Sequence, residues 1–553
     1  MAVIAASLLL IVAVVLTVVY YVGLILYRLF FHPLAKFPGP KLAGATDLYE
    51  YYFDVAKRGM FIWEIERMHE KYGPIVRINP DELHIRDAEF FDEIYSAGNK
   101  KRHKYDKWAK MAGAPTSTST TVDHDLHRQR RAAINPSFSK RAVVGLEPKV
   151  QQKVDTLCER FEALARTGEP VRLDVAYGAL TTDVITEYCF GYTYNYLLEP
   201  DFKLEWKESM DMVFEGSQFR RATPWLTLAM QQFPDRYILK MVPALGSLIK
   251  LQHDIKMEAE KALVRPTSKM RVTEPSIFNS LLESDLVPPE EKNAGHLVDE
   301  GTTIVAAGVE TTAKSLATTT FYILTTPGVL PRLQEELKKA MPLPTSKATW
   351  TQLEQLPYLS AVISEGIRLS YGVITRTPRQ LDEPLPYKDW VIPARAALSQ
   401  ISYFVTMDPN IFVEPERFNP DRWMQEKRLD RYLANFGKGS RICLGINLAY
   451  AELFLTIAAV FRRFDLEMYE TTIDDIKIER DLFVASPKLG SKGVRAFVKG
   501  TPEIYAADVT QQSGYSSSLR LPNSECNLTN SLAGGHYATG LWNRTRGNYT
   551  SYA

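Results

Sequence analysis

The chain has 553 residues, 45% of them hydrophobic and 24% charged, a composition typical of globular rather than disordered proteins. Its 66 Lys and Arg against 65 Asp and Glu give a formal net charge of +1, which offers no global attraction to nucleic acid. Four cysteines without a Cys-x-x-Cys pair exclude a disulfide scaffold and a zinc ribbon, and they indicate a reducing compartment.

The first 27 residues predict a transmembrane anchor. Residues 2–26 carry no charged side chain, and about 20 apolar residues suffice to span the hydrocarbon core of a bilayer. A cleaved signal peptide is the alternative, but its shorter apolar region would follow basic residues, which are missing here. Arg28, His32 and Lys36 follow the span, which predicts that the downstream chain faces the cytosol.

The remaining sequence divides into three parts. Residues 28–45 contain Phe37-Pro-Gly-Pro40, which cannot continue a helix and predicts a short hinge. Residues 46–500 show no linker or internal repeat, and their helical periodicity, with only short alternating patterns, predicts one mainly α domain with a minor β region. Residues 501–553 are rich in Ser, Asn, Thr, Gly and Tyr and predict a disordered tail.

The most informative motif is Phe436-Gly-Lys-Gly-Ser-Arg441-Ile-Cys443-Leu-Gly445. A cysteine just before a helix lies where the helix dipole and free backbone amides stabilise a thiolate. Gly439 and Gly445 permit backbone to approach a flat cofactor, and Arg441 can neutralise a carboxylate on it. A single cysteine is more often an inert buried side chain, and we keep that interpretation for the other three.

Glu365-Gly-Ile-Arg368 places two opposite charges on one helical face. By itself such a pair is usually solvated at the surface. Arg417 and Arg422 follow downstream as two candidates for a third charged partner. The sequence pattern alone does not choose between them.

A third motif, Ala307-Gly-Val-Glu310-Thr311-Thr, lies in a predicted helix over residues 289–325. A glycine in mid-helix costs about 1 kcal/mol relative to alanine, so its presence calls for a packing or functional reason. Considered alone, the Thr311 hydroxyl would most simply bond back to the preceding turn of the helix.

The loop around Cys443, with Phe436, Gly439, Arg441 and Gly445 in place, resembles the cysteine loop of the cytochrome P450 family. The resemblance spans about residues 27–499 and is greatest to the filamentous-fungal enzymes of secondary metabolism, the group that includes trichodiene oxygenase. It implies the cytochrome P450 fold after a single N-terminal transmembrane helix. It also implies haem b, with Cys443 as the axial thiolate ligand of the iron.

The resemblance further implies roles for the other motifs. Glu365, Arg368 and Arg422 would form a structural triad beneath the haem. Glu310 and Thr311 would deliver protons on the distal side, where Gly308 would leave room for dioxygen. The haem propionates would be held by basic residues, namely Arg441, Arg376, His124, Arg128, Arg131 and His127, of which the last replaces a tryptophan usual in the family.

The activity implied is insertion of one oxygen atom from O2 into a lipophilic secondary metabolite of terpenoid or polyketide type. Electrons would come from NADPH through NADPH-cytochrome P450 reductase, at the endoplasmic reticulum membrane. The substrate pocket would draw on residues 109–121, 214–228, 303–307 and 373–375, which are mainly apolar or neutral. The alternatives are a haem-thiolate isomerase or dehydratase, against which the Glu310-Thr311 pair argues, and a membrane-anchored scaffold.

Overall fold

The structure is a computed structural model that describes residues 2–95, 100–109, 113–230, 232–264, 276–425 and 428–500. The predicted tail, residues 501–553, lies outside the described residues. Within the described ranges the fold is mainly helical with small sheets, as the sequence predicts.

The α-helices of the described ranges are α1 (Ala2–Leu26), α2 (Lys41–Ala45), α3 (Leu48–Tyr51), α4 (Phe61–Tyr72), α5 (Phe91–Ile94), α6 (Asp106–Ala109), α7 (His124–Ile134), α8 (Lys140–Thr167), α9 (Leu173–Phe190), α10 (Leu204–Glu215), α11 (Ser217–Ala222), α12 (Pro224–Met230), α13 (Asp235–Met241), α14 (Gly246–Val264), α15 (Ile277–Glu283), α16 (Ala294–Thr325), α17 (Val329–Ala340), α18 (Trp350–Leu353), α19 (Pro357–Ser370), α20 (Ser402–Thr406) and α21 (Ile446–Arg463). The strands are β1 (Ile75–Arg77), β2 (Glu82–Ile85), β3 (His103–Lys104), β4 (Val171–Arg172), β5 (Arg379–Gln380), β6 (Leu385–Tyr387), β7 (Trp390–Ile392), β8 (Ala397–Ser399), β9 (Phe464–Met468), β10 (Arg480–Leu482), β11 (Val484–Ser486) and β12 (Arg495–Gly500).

Helix α1 continues through a π-helical turn, Tyr27–Phe31, to form one apolar helix. The combined element Val3–Phe31 has 29 residues and a mean hydropathy of 2.9, and none of it is buried in the protein. It is long and apolar enough to cross a membrane. It ends four residues beyond the predicted boundary at residue 27, because Leu29, Phe30 and Phe31 extend the apolar run up to Pro33.

The segment that follows α1 is packed against the domain. Leu34 and Phe37 are buried, and Phe37 stacks on Trp390 with 5.0 Å between the ring centroids. The Arg77 amide donates a hydrogen bond of 2.7 Å to the Pro38 carbonyl. A Cβ atom on Gly39 would lie only 2.4 Å from the Arg77 carbonyl oxygen. The proline-containing stretch is therefore a fixed connection.

Helix α16, with 32 residues, is central to the fold and packs against α9, α14, α19 and α21. It begins at Ala294 rather than at residue 289, because the Asn293 side chain caps it by accepting a hydrogen bond from the His296 amide. The α16–α19 contact depends on Gly366, where a Cβ atom would lie 2.0 Å from the Thr319 hydroxyl oxygen. The two helices that carry the Glu310 and Glu365 motifs are therefore closely packed.

The largest sheet has five strands in the order β1-β2-β8-β5-β3. Strands β1 and β2 lie within residues 75–85, and β6 and β7 form a separate two-stranded sheet. Strands β3 and β5 are antiparallel, and their register places Lys104 directly opposite Arg379. This pairing brings together two cations that are far apart in sequence.

Candidate active site

A cavity of about 380 Å³ is lined by both helix α16 and the loop that precedes α21. Helix α16 contributes Ala307, Gly308 and Thr311. The loop contributes Phe436, Arg441, Cys443 and Gly445, which are the predicted cofactor-binding residues of that motif. Two sequence motifs separated by more than a hundred residues thus meet at one site.

The loop presents Cys443 to the cavity. Gly437 and Gly439 have φ of 66° and 72°, a left-handed conformation that glycine adopts readily, and the Cys443 amide donates a 2.8 Å hydrogen bond to the Phe436 carbonyl. Cys443 is exposed, and its thiol opens onto the cavity. Desolvation by the surrounding protein raises the pKa of Cys443, while a hydrogen bond from the Gly445 amide lowers it. Coordination to a metal ion would deprotonate such a thiol.

Cations cluster at the same cavity, where Lys104, Arg131, Arg379 and Arg441 all contribute to the lining. Like charges that face each other across a β-ladder, as Lys104 and Arg379 do, destabilise it. Burial and the charge of Arg379 lower the pKa of Arg441 to about 9, and burial also places the pKa of Lys104 well below its usual value. An anion bound here would relieve this repulsion.

His127 lines the cavity beside these cations. Burial and the charge of Arg441 lower its pKa to about 2, so the imidazole is neutral. Its Nδ1 atom is buried and has no hydrogen-bond partner among the described residues. The cation cluster and this imidazole fit the two propionates of haem b, the Cys443 thiol fits its iron, and Gly445 leaves open space where a Cβ atom would project.

Arg376 does not line the cavity, whereas Arg379, three residues later, does. The Arg376 guanidinium is fully buried, donates 2.9 Å to Glu82 and also pairs with Glu50. The residues on either side of Arg376 line the cavity together with Arg379. The position of Arg376 therefore does not support the predicted propionate contact.

Two residues of helix α7 also lie away from the cavity. His124 is buried, and its Nδ1 accepts a hydrogen bond of 3.2 Å from the Arg102 amide. Arg128 is exposed at the surface. Of the basic residues predicted on this helix, only His127 and Arg131, one turn apart on the same face, line the cavity.

Glu310 faces a second cavity, of about 410 Å³, rather than the Cys443 cavity. Its carboxylate forms a 3.4 Å ion pair with Lys207 of α10, and burial raises its pKa while Lys207 opposes the shift. Glu310 therefore points toward α10, whereas Thr311 points toward the Cys443 cavity. Of the predicted pair, Thr311 alone lines the cavity with Cys443.

The Thr311 hydroxyl donates a 2.8 Å hydrogen bond to the Ala307 carbonyl, one turn earlier in the helix. Because its hydrogen is used there, its free lone pairs can accept a hydrogen bond from a group in the cavity. Gly308 has a packing role as well, since a Cβ atom on it would lie 3.2 Å from Cγ1 of Ile185.

Glu365, Arg368 and Arg422 meet in the interior. Arg368 donates two hydrogen bonds of 2.8 Å to Glu365, and Arg422 donates one of 3.1 Å. The same carboxylate accepts from the Trp423 indole at 2.8 Å and the Asn419 amide at 2.9 Å. The other candidate, Arg417, pairs with Glu414 at the surface.

Helix α19, which carries this network, also holds the cysteine loop. The Asn435 side-chain amide donates a 2.8 Å hydrogen bond to the carbonyl of Ile367, next to Arg368. Asn435 lines the cavity with Cys443. The residue that bonds the cysteine loop, Ile367, is thus the direct neighbour of Arg368 in the buried ion network.

Three of the four segments expected to form the substrate pocket contribute to the cavity, through Thr118 and Ser119, Thr303 to Ala307, and Val373 with Thr375. Segment 214–228 does not contribute a lining side chain within the described part of the chain, and its Phe214 and Glu215 line the second cavity instead. Helix α10 therefore borders the side of α16 that carries Glu310 and lines the second cavity.

A cysteine thiol that opens, with a cluster of cations, onto a cavity fitted to haem b defines a haem-thiolate protein. The chain belongs to the cytochrome P450 family, since the family model for cytochrome P450 matches residues 46–492. It is accordingly an enzyme of the cytochrome P450 monooxygenase class, and family membership implies haem with a cysteine thiolate ligand.

Similar proteins come from fungi. Cytochrome P450 monooxygenase sdnE of Sordaria araneosa is 43% identical over 507 residues, covering 88% of this chain and 97% of the relative. Cytochrome P450 monooxygenase TRI4 of Fusarium sporotrichioides is 40% identical, covering 85% and 91%. Conidiogenone synthase PchP450 of Penicillium rubens is 40% identical, covering 86% and 96%. The predicted resemblance to fungal enzymes of secondary metabolism is confirmed.

Proposed function

We propose that the protein inserts one oxygen atom from O2 into a lipophilic secondary metabolite of terpenoid or polyketide type. The observation that carries this proposal is that Cys443 and Thr311 line one cavity, together with the apolar side chains of Ile304, Val373 and Phe483. A cavity with this lining favours an apolar substrate with few polar groups. Electrons would come from NADPH through a reductase partner.

Haem b, when bound, supplies the activation of dioxygen and the oxidation of the substrate. Cys443 would bind its iron. The propionates would be held by the cations at the cavity and by the neutral imidazole, that is, by Lys104, Arg131, Arg379, Arg441 and His127. These groups would hold the cofactor in place and neutralise its charge.

Proton delivery would run along helix α16. Thr311 would accept a hydrogen bond from a water molecule in the cavity and hold it in place. Glu310 lines the charged second cavity, where Lys207 holds it. Release of Glu310 from Lys207 would let its carboxyl group carry a proton from that cavity toward Thr311.

Thr311→Ala is expected to uncouple the reaction. The substitution removes one hydroxyl without adding bulk or charge, so haem content and substrate affinity should stay close to wild type. NADPH consumption should continue while released hydrogen peroxide replaces most of the oxygenated product, because the positioned hydrogen-bond acceptor is lost. The measurement is the ratio of product to NADPH consumed, with peroxide quantified in the same assay.

Thr325→Ala is the matched control. Thr325 lies on the same helix and donates the same kind of 2.8 Å bond to the carbonyl four residues earlier, but it does not line the cavity. The ratio of product to NADPH consumed in Thr325→Ala should equal that of wild type. An unchanged ratio in Thr311→Ala would leave Thr311 as an ordinary helical threonine, and an enzyme that consumes no NADPH would support the isomerase or dehydratase alternative.

We propose that the apolar helix anchors the protein in the endoplasmic reticulum membrane, with the catalytic domain in the cytosol. Deleting residues 1–26 should move most of the protein to the soluble fraction and preserve its haem spectrum, because α1 buries no surface in the domain. Fractionation combined with the carbon monoxide spectrum checks both results. Loss of haem from the truncated protein would make α1 part of the folded domain.

A further inference from the structure

The cavity has a polar end that the proposed reaction does not use. Thr303 and Glu300 precede Ala307 by about one and two turns on the same face of α16, and both line the cavity. Seven residues separate Glu300 from Ala307, a distance of about 10 Å along the helix axis. Thr118 lines the cavity at this end as well.

This end of the cavity is held rigidly. The Thr118 amide donates a 2.6 Å hydrogen bond to Oε2 of Glu300. Next to Glu300, Asp299 accepts hydrogen bonds from the Thr116 amide and hydroxyl at 2.9 and 2.5 Å. One turn earlier, the His296 ring contacts the Thr116 carbonyl at 2.9 Å. Helix α16 therefore fixes the loop that carries Thr118 before any substrate enters.

Two polar groups at this end have unused hydrogen-bonding capacity. Glu300 is only 2% exposed, and its Oε1 atom has no hydrogen bond from the described residues. The Thr118 hydroxyl, 3% exposed, is buried without a partner in the same part of the structure. Burial raises the pKa of Glu300, while the hydrogen bond from the Thr118 amide opposes the shift.

We propose that Glu300 and Thr118 form a subsite that binds a hydroxyl or carbonyl oxygen of the substrate. This inference rests on the proposed function and specifies its substrate class further. Buried polar groups left without a partner penalise an analogue that lacks the matching oxygen. The substrate therefore already carries an oxygen at the end of the molecule that lies beside Glu300, about two helical turns from Ala307.

The test uses probes whose position does not depend on knowing the substrate. N-alkylimidazoles of increasing chain length bind the haem iron through nitrogen and extend their chains into the cavity. Each is paired with the ω-hydroxy compound of equal length, and affinities are read from the Soret shift of the full-length holoenzyme. At the chain length that reaches the subsite, the ω-hydroxyalkyl imidazole should bind about tenfold more tightly than the N-alkylimidazole of equal length.

Four variants separate recognition of the substrate oxygen from support of the loop that carries Thr118. Thr118→Val removes the hydroxyl but keeps the backbone amide that bonds Glu300, so it should reduce the preference for the alcohol severalfold. Glu300→Leu should abolish the preference, and Glu300→Gln, which still donates and accepts, should retain it. Asp299→Ala loosens the loop at Thr116 without touching the subsite, so it should change both affinities equally.

The proposal is overturned if wild type binds both members of every pair equally. It is also overturned if Thr118→Val and Glu300→Leu leave the preference unchanged, or if Asp299→Ala removes it to the same extent. None of these measurements requires turnover. Absence of NADPH-dependent oxygenation with the preference intact would refute the proposed monooxygenase reaction and leave the subsite standing.

Discussion

Cys443→His is expected to retain part of the haem while losing the thiolate spectrum and all detectable monooxygenase turnover. Histidine can coordinate iron through nitrogen, but it does not donate the electron density by which a thiolate favours O–O cleavage. The reduced protein with carbon monoxide should therefore show the Soret band of a nitrogen-ligated haem. The two measurements are this spectrum and product formation per haem.

Cys158→Ala serves as the control for Cys443. Cys158 is fully buried in the core, and burial raises its pKa to about 12, so it remains a thiol. The variant should keep the thiolate band even where its stability falls slightly. Turnover equal to wild type in Cys443→His would eliminate Cys443 as the ligand.

Arg368→Ala is expected to abolish haem incorporation. Removal of one partner from a buried ion pair leaves an uncompensated charge and costs about 3–5 kcal/mol. Here the remaining charge would be the Glu365 carboxylate, which is completely buried and also bonds Arg422. Displacement of α19 would also break the hydrogen bond from Asn435 to Ile367, which holds the cysteine loop in place. Haem absorbance per purified protein is the measurement.

Arg417→Ala is the matched control for Arg368, because it removes an arginine in the adjacent segment whose ion pair with Glu414 is exposed. An exposed pair contributes little, so haem content should stay at the wild-type level. Arg368→Lys should also fail, since lysine cannot replace the two parallel bonds of the guanidinium group. Normal haem content in Arg368→Ala would contradict a structural role for this network.

The apolar anchor, the helical fold and the Cys443 loop could be predicted because each is encoded in contiguous residues. The loop needs only its own turn glycines and the helix that follows it. The choice between Arg417 and Arg422 required the resemblance to a known family, because both lie in similar local sequence and only the fold brings Arg422 to Glu365.

Two of the cations at the cavity, Lys104 and Arg379, could not be assigned from local pattern. They become neighbours through strand pairing across 275 residues, so the only signal in the sequence was a second arginine three residues after Arg376. Nor does the local pattern show which cavity Glu310 lines. Its partner, Lys207, lies on another helix and was not foreseeable.

The fixed connection after α1 determines how the domain is oriented above a bilayer. The helix continues to Phe31, and both Leu34 and Phe37 are buried against the domain. The rotation of the helix about its own axis is therefore fixed relative to the domain. Each residue inserted before Phe31 would rotate the lipid-facing surface of the helix by about 100° relative to the domain. The residue count of the anchor thus determines which face of the helix lies below a given side of the domain.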